Sequence, residues 1–309
     1  MTKTLSSLAA GVIALGIASS PALAVGTASR TFVSASPPGS DTGTCPTTAP
    51  CRTFAYALTQ TAPSGEIIVL SSGGYGTVTI TQPVSIINTS DFAGVTVGGG
   101  GNGININANT NDSVTLRGLT IDGGGVGGNG IVFNSGGKLT IDKCDMMNFV
   151  GSGTTGNGIL IQPTSGNSKI VITNTTASNN QQNGVLHTGT ASIGFVLDHV
   201  NAINNGTTGI SLLGAGSSAS VSNSIASGNG DGFVFAGVTT SLDSSYASGN
   251  SGEGVLASNN TVAIARSAIV NNNVGIQIST ATVNSYKSNQ ITNNGNNVSG
   301  GTITQVNPD

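Results

Sequence analysis

One short phrase of alternating apolar and polar character returns seven times between residues 128 and 279. It reads Gly130-Ile131-Val132-Phe133, Gly158-Ile159-Leu160-Ile161, Gly184-Val185-Leu186-His187, Gly209-Ile210-Ser211-Leu212, Gly232-Phe233-Val234-Phe235, Gly254-Val255-Leu256-Ala257 and Gly275-Ile276-Gln277-Ile278. The glycines are 28, 26, 25, 23, 22 and 21 residues apart. Strand-like phrases at such a period are the signature of a solenoid, in which each coil buries its apolar face against the next. Successive side chains of a strand point to opposite faces. The first and third residues after each glycine are therefore assigned to the interior and the second to the outside.

A second strand follows each phrase, with Ile141, Ile172, Leu197, Val221, Leu242 and Ile264 as inward anchors. Five residues after each anchor stand Met146, Ala177, Ala202, Ala226, Ala247 and Ile269. Eight residues after, in all but the first, stand Asn180, Asn205, Asn229, Asn250 and Asn272, and Asn294 continues the series one coil later. Parallel coils stack like residues about 4.8 Å apart, so these amides are predicted to form a ladder, each donating to one neighbour and accepting from the other. A net amide bond contributes only about 1 kcal/mol, whereas an unpaired buried amide costs about 1–3 kcal/mol, so the ladder is expected to specify register more than it adds stability. Asparagine also tolerates the left-handed backbone of a sharp corner.

Upstream, residues 67–122 alternate less regularly but end each short run in Gly, Asn or Asp, as half-buried strands do. Before them, Phe54, Ala57 and Leu58 share one face of a predicted short helix that can cover the open apolar end of the stack. Thr302 to Val306 reads as a terminal strand followed by Pro308 and Asp309, with no capping helix, which leaves end-to-end self-association open. The chain divides into residues 1–24, 25–65 (strand, cysteine loop and capping helix) and 66–309 (the solenoid).

Composition narrows the function classes. Only 7% of the 309 residues are charged against 37% hydrophobic, with 47 glycines and a net charge of −3. No basic track for nucleic acid exists, and an electrostatic grip on a polyanion is disfavoured. Residues 1–24 carry Lys3, an apolar run from Leu8 to Ile17 and an Ala22-Leu23-Ala24 cleavage signal, so a secretory signal peptide and export to the periplasm, cell surface or medium are expected. The run is shorter than the roughly 20 residues that span a bilayer, and a membrane-spanning chain is not expected. In an oxidising compartment Cys45 and Cys51 are expected to form a disulfide; a zinc pair would need two further ligands, and none lies nearby. Cys144 is left over beside the anchor Ile141 and reads as a buried, inert thiol.

The opening strand, the Gly39-Ser40-Asp41 loop, Pro50-Cys51-Arg52-Thr53-Phe54, then Ala57-Leu58 and Gly65-Glu66-Ile67-Ile68-Val69-Leu70 resemble the start of secreted bacterial right-handed parallel β-helix proteins of the pectin-lyase-like superfamily. The resemblance implies an all-β, single-stranded right-handed parallel β-helix of about ten coils with a short N-terminal capping helix. Its members include polysaccharide lyases, glycosidases, tailspikes and adhesins.

Candidate chemistry is sparse. His187 falls at an inward position of its phrase and reads as a core histidine. The outward residues Val132, Leu160, Leu186, Val234 and Leu256 form an apolar stripe, interrupted by Ser211. Such a stripe is either an interaction face for a polysaccharide, an envelope protein or a second copy, or is covered by the chain's own turns. The second strand's outward column reads Arg117, Asp142, Thr173, Asp198, Ser222, Asp243, Ala265 and Lys287, with Lys143 and His199 one residue beyond Asp142 and Asp198. Asp142 and Asp198 are two coils apart, roughly 10 Å, at the loose end of the roughly 6.5–9.5 Å used by inverting glycosidases. Phe195-Val196-Leu197-Asp198-His199 is similar to the Trp-Ile-Asp-His phrase of pectate lyases, without its tryptophan and without that family's paired arginines. The polygalacturonase motifs are absent, as is the recurrent aspartate of calcium-ladder repeats. No metal or other cofactor is expected. The sequence therefore points to a non-catalytic surface or extracellular binding or structural module, associated with glycans or the envelope. The alternative is a polysaccharide lyase or glycoside hydrolase using Asp142, Asp198 and His199.

Overall fold

A computed structural model describes residues 26–36 and 39–307; the expected signal peptide lies outside these residues. Every phrase beginning near a repeat glycine is a strand of one ten-stranded sheet whose neighbours follow chain order, from Val78–Ile80 to Asn296–Ser299. The coil then turns onto a second sheet of twenty strands. There Lys138–Asp142 and Asp145–Met147 meet at a corner, and in the next two coils one long strand, Asn167–Ser178 or Ser192–Ile203, runs through it. All strand pairings are parallel and join like positions of successive coils, as in Ile131 with Ile159 and Ile141 with Ile172. The chain is an all-β right-handed parallel β-helix of about ten coils, one for each strand of the smaller sheet.

The inward columns fuse into one continuous core. Burying each large aliphatic or aromatic side chain supplies about 1.5–3 kcal/mol before conformational entropy is subtracted. At the N-terminal end the helix Phe54–Gln60 buries Phe54, Ala57 and Leu58, with Phe54 stacked on Tyr75 at 5.0 Å between ring centres. Thr53 caps the helix by accepting from the Tyr56 N–H. The Cys45–Cys51 disulfide braces the loop before it. At the other end the strand Ile303–Val306 adds onto Thr282–Tyr286.

The asparagine column is continuous. The backbone N–H and Nδ2 of Asn180, Asn205, Asn229, Asn250 and Asn272 each donate to Oδ1 of the asparagine one coil on, at 2.8–3.2 Å. From Asn205 onward, the second Nδ2 proton goes to the carbonyl of Ala177, Ala202, Ala226, Ala247 or Ile269 one coil back. The five-residue and eight-residue columns thus form one hydrogen-bonded device. The repeat glycines make room for it: a Cβ at Gly158 would lie 2.8 Å from the Gly184 carbonyl oxygen and 3.0 Å from Asn180 Nδ2.

The backbone differs from expectation at this corner. The left-handed residue is the one before each ladder asparagine: Asn179, Asn204, Gly228, Gly249, Asn271 and Asn293, with φ from 56° to 68°. The ladder asparagines are spent on hydrogen bonding, and the turn falls to a neighbour that glycine can also fill.

A hydroxyl column that the sequence pattern did not reveal closes the second corner. Thr175, Ser224, Ser245 and Ser267 each donate to the carbonyl two residues back, at 2.7–2.8 Å. Cys144 occupies the same station, its thiol directed at the Asp142 carbonyl at 3.4 Å. Burial pushes that thiol up to about 12, which makes it inert as a nucleophile at neutral pH.

Candidate functional site

On the outer face of the twenty-stranded sheet, register brings Arg117, Asp142, Thr173, Asp198, Ser222, Asp243 and Ala265 into one column. At its end Ile264 pairs with Ser285, which gives the outward station to Tyr286 rather than to the expected Lys287. The cause is Ser285, a polar residue in an otherwise apolar inward column, so the last coil lacks the apolar anchor that marks register in the others. The cue available in the sequence was the alternation from Val283, which makes Ser285 inward and Tyr286 outward.

The carboxylates of this column are closed by the following coil. Asp142 Oδ1 accepts from Thr173 Oγ1 and Asn174 Nδ2, both at 2.9 Å, and Arg117 Nε lies 3.2 Å from Oδ2. Burial works to raise the Asp142 carboxyl, but the Asn174 and Thr173 hydrogen bonds and the Arg117 and Lys143 charges outweigh it and hold the group below its ordinary value. Asp198 Oδ1 accepts from Ser222 Oγ at 2.7 Å and Asn223 Nδ2 at 2.8 Å, and Oδ2 lies 2.8 Å from His199 Nδ1. The bonds from Asn223, Ser222 and His199, in that order, pull Asp198 down to about 2. Both groups are ionised at neutral pH, with Oδ1 of each held by a hydroxyl and an amide of the next coil. Thr173 and Asn174 occupy the coil between them, so Asp142 and Asp198 do not meet around a common point. His199 and Lys143 hold left-handed corner positions, with φ of 54° each.

The apolar stripe of the smaller sheet is apart from the core, as alternation predicts, with Val132, Leu160 and Leu186 forming their own cluster to which Leu213 packs. Its exposure is corrected: Val132, Leu160, Leu186 and Val234 are only 1–8% exposed and Leu256 is half-buried. Leu160 lies between Val132 and Leu186, whereas the column is bounded by Asn105, broken by Ser211 and ended by Gln277. Beside them runs a second amide ladder, which sequence reasoning missed: Asn129 donates to Asn102, Asn157 to Asn129 and Asn183 to Asn157 at 2.8–3.1 Å. Further along that column the Glu253 N–H donates to Asp231 Oδ1 at 3.0 Å. A hydrogen bond between the two carboxyl groups, with burial and charge repulsion, raises the Glu253 carboxyl.

His187 lies in the core between Ile161 and Leu212, edge-on to Phe195 at 5.1 Å. Neither ring nitrogen has a hydrogen-bond partner among the described residues, and burial lowers its pKa to about 4. Among the described residues no three His, Cys, Asp or Glu side chains are grouped to hold a metal ion, and no helix is long and apolar enough to cross a membrane.

Among solved structures the chain is similar to the pectate lyase Pel9A, at 16% identity over 87% of this chain and 80% of that one, with a TM-score of 0.63. It is also similar to the A-module of the Azotobacter vinelandii mannuronan C-5 epimerase AlgE4, at 16% identity over 73% of this chain and 72% of that one, with a TM-score of 0.51. At these identities the likeness is one of fold. No curated protein sequence matches the chain. The family model described as a right-handed β-helix region matches residues 66–225 and 158–307, and the chain belongs to that family.

Proposed function

We propose that the protein is an exported, non-catalytic polysaccharide-binding module that holds its ligand along the outer face of the twenty-stranded sheet. The observation that carries this reading is geometric: Asp198 is engaged by Ser222, Asn223 and His199, and the Thr173 coil stands between it and Asp142, so the two carboxylates do not face each other as an acid–base pair. Asp142 is engaged in the same manner. What the column offers is a row of fixed carboxylates, hydroxyls and amides at coil spacing, which suits recognition of a repeating hydroxylated chain better than bond cleavage. The Cys45–Cys51 disulfide fits an oxidising compartment. Both similar solved structures are enzymes named for polysaccharides, which favours a polysaccharide ligand over a protein one.

That same likeness favours a second reading, a lyase or glycosidase. The two are separated by incubating the protein with pectate, mannuronan and neutral glucans and mannans while following gel retardation and product release together. Retardation by at least one polymer without new reducing or unsaturated ends is expected. Turnover that disappears in Asp198→Asn would establish the catalytic reading instead.

A further inference from the structure

The outward column ends differently from the way it begins. On Asp142 and on Asp198, Oδ1 is closed by a hydroxyl and an amide from the next coil, Thr173 with Asn174 and Ser222 with Asn223. After Asp243 the same two stations hold Ala265 and Arg266. Arg266 pairs instead with Asp243 Oδ2 and, through Nε, with Ser244 Oγ at 3.3 Å. Asp243 Oδ1 is left buried with no partner among the described residues. An unpaired buried acceptor lowers stability, and departure from a rule that the same column obeys twice marks a place shaped by something other than stability.

The departure coincides with a surface depression. Ser220, Ser241, Ala263 and Ala265 keep the sheet surface low, and Arg266 and Tyr286 complete an open surface depression of about 450 Å³. Small-ligand sites occupy roughly 300–1,000 Å³. Tyr286 is the residue that the corrected register delivers to the column.

We propose that this depression is a subsite for one neutral hexose unit of a polysaccharide chain; the inference rests on the polysaccharide reading above. Arg266 is the positioned donor. Its guanidinium carries five N–H groups in a rigid fork, and those not used by Asp243 and Ser244 are available to hydroxyl and ring oxygens. The serine hydroxyls both donate and accept, and Tyr286 offers an apolar ring face with a polar tip. Asp243 neutralises the Arg266 charge, so the site holds no excess positive charge for a uronate, and the net charge of −3 works against polyanions.

Titration calorimetry of the whole mature protein with cellohexaose and mannohexaose, beside hexagalacturonate and hexamannuronate, tests the inference. Two variants accompany it: Arg266→Ala, and the pair Ala265→Ser with Arg266→Asn, which imports the closure seen at Asp198. The pair supplies the missing donors to Asp243 Oδ1, so it is expected to melt above wild type, which excludes misfolding as the reason for lost binding. At least one neutral oligosaccharide is expected to bind the wild type, and both variants to bind it about tenfold or more weakly, the loss of a charge-assisted hydrogen bond. Unchanged affinity in the closed pair overturns the subsite while leaving polysaccharide binding elsewhere on the sheet intact. Tighter binding of the acidic hexamers overturns the neutral class. Absence of binding to all four oligosaccharides, together with no retardation by the polymers, removes the polysaccharide reading and the subsite with it.

Discussion

Lowering the pH from 6.5 to about 4 is expected to remove roughly 3 kcal/mol of stability through His187 alone. Its pKa is about 4 in the folded chain against an ordinary value of 6.5, and each unit of difference corresponds to about 1.4 kcal/mol. Because the folded value is the lower one, the unfolded chain takes up the proton first. The contribution is whole above 6.5 and is lost as pH falls through the interval toward 4. Asp198, held at about 2, releases its own contribution only at lower pH, and the raised Glu253 acts in the opposite sense. The His187 share is isolated by comparing urea unfolding of wild type and His187→Leu across the range. In leucine the two unpartnered ring nitrogens disappear and the column gains a side chain like its neighbours Ile161 and Leu212. The variant is expected to be more stable by about 1–3 kcal/mol at neutral pH, the cost of an unsatisfied buried polar group, with a flatter pH profile. Parallel profiles for the two proteins would show that His187 has a partner or solvent access in solution.

Asn229→Ala is expected to be among the most damaging single substitutions, costing about 3 kcal/mol or more. Asn229 Oδ1 accepts from both the backbone N–H and Nδ2 of Asn205, and its own Nδ2 donates to the Ala202 carbonyl and to Asn250 Oδ1. Alanine leaves the Asn205 N–H and one of its Nδ2 protons buried and unpaired and removes a donor from the Ala202 carbonyl and from Asn250 Oδ1, in a site where Asn229 is 3% exposed. Asn294→Ala, at the end of the ladder, removes comparable bonds, but that residue is only half-buried and water can reach the groups it leaves. Its cost is expected to be less than half as large. Equal losses at the two positions, measured by chemical unfolding, would mean that the amides act locally and not as a buried ladder.

Much of this arrangement is legible in the chain itself. Residues such as Ile141, Ile172 and Leu197 recur against a shared glycine phrase, and that periodicity specifies parallel stacking, the inward columns and the placement of His187 in the core. The alanine and asparagine offsets locate the ladder because stacked coils bring like positions together. The candidate site was less readable. Asp142 and Asp198 could be assigned to one face from alternation, but their chemical state depends on Thr173, Asn174, Ser222 and Asn223, whose relation to them exists only once the coils are stacked in register.

The sequence alone thus determined the β-helix, its coil period and which side of each strand faces inward, because burial of one face imposes a two-residue alternation that survives in the residue order. Only the tertiary structure decided that most of the apolar stripe is buried, and that, among the described residues, Asp243 alone in its column keeps a buried unpaired oxygen beside a surface depression. These are relations between coils more than twenty residues apart. A slip of one residue reverses every side chain, and the partner that satisfies or fails a polar atom is chosen by that register.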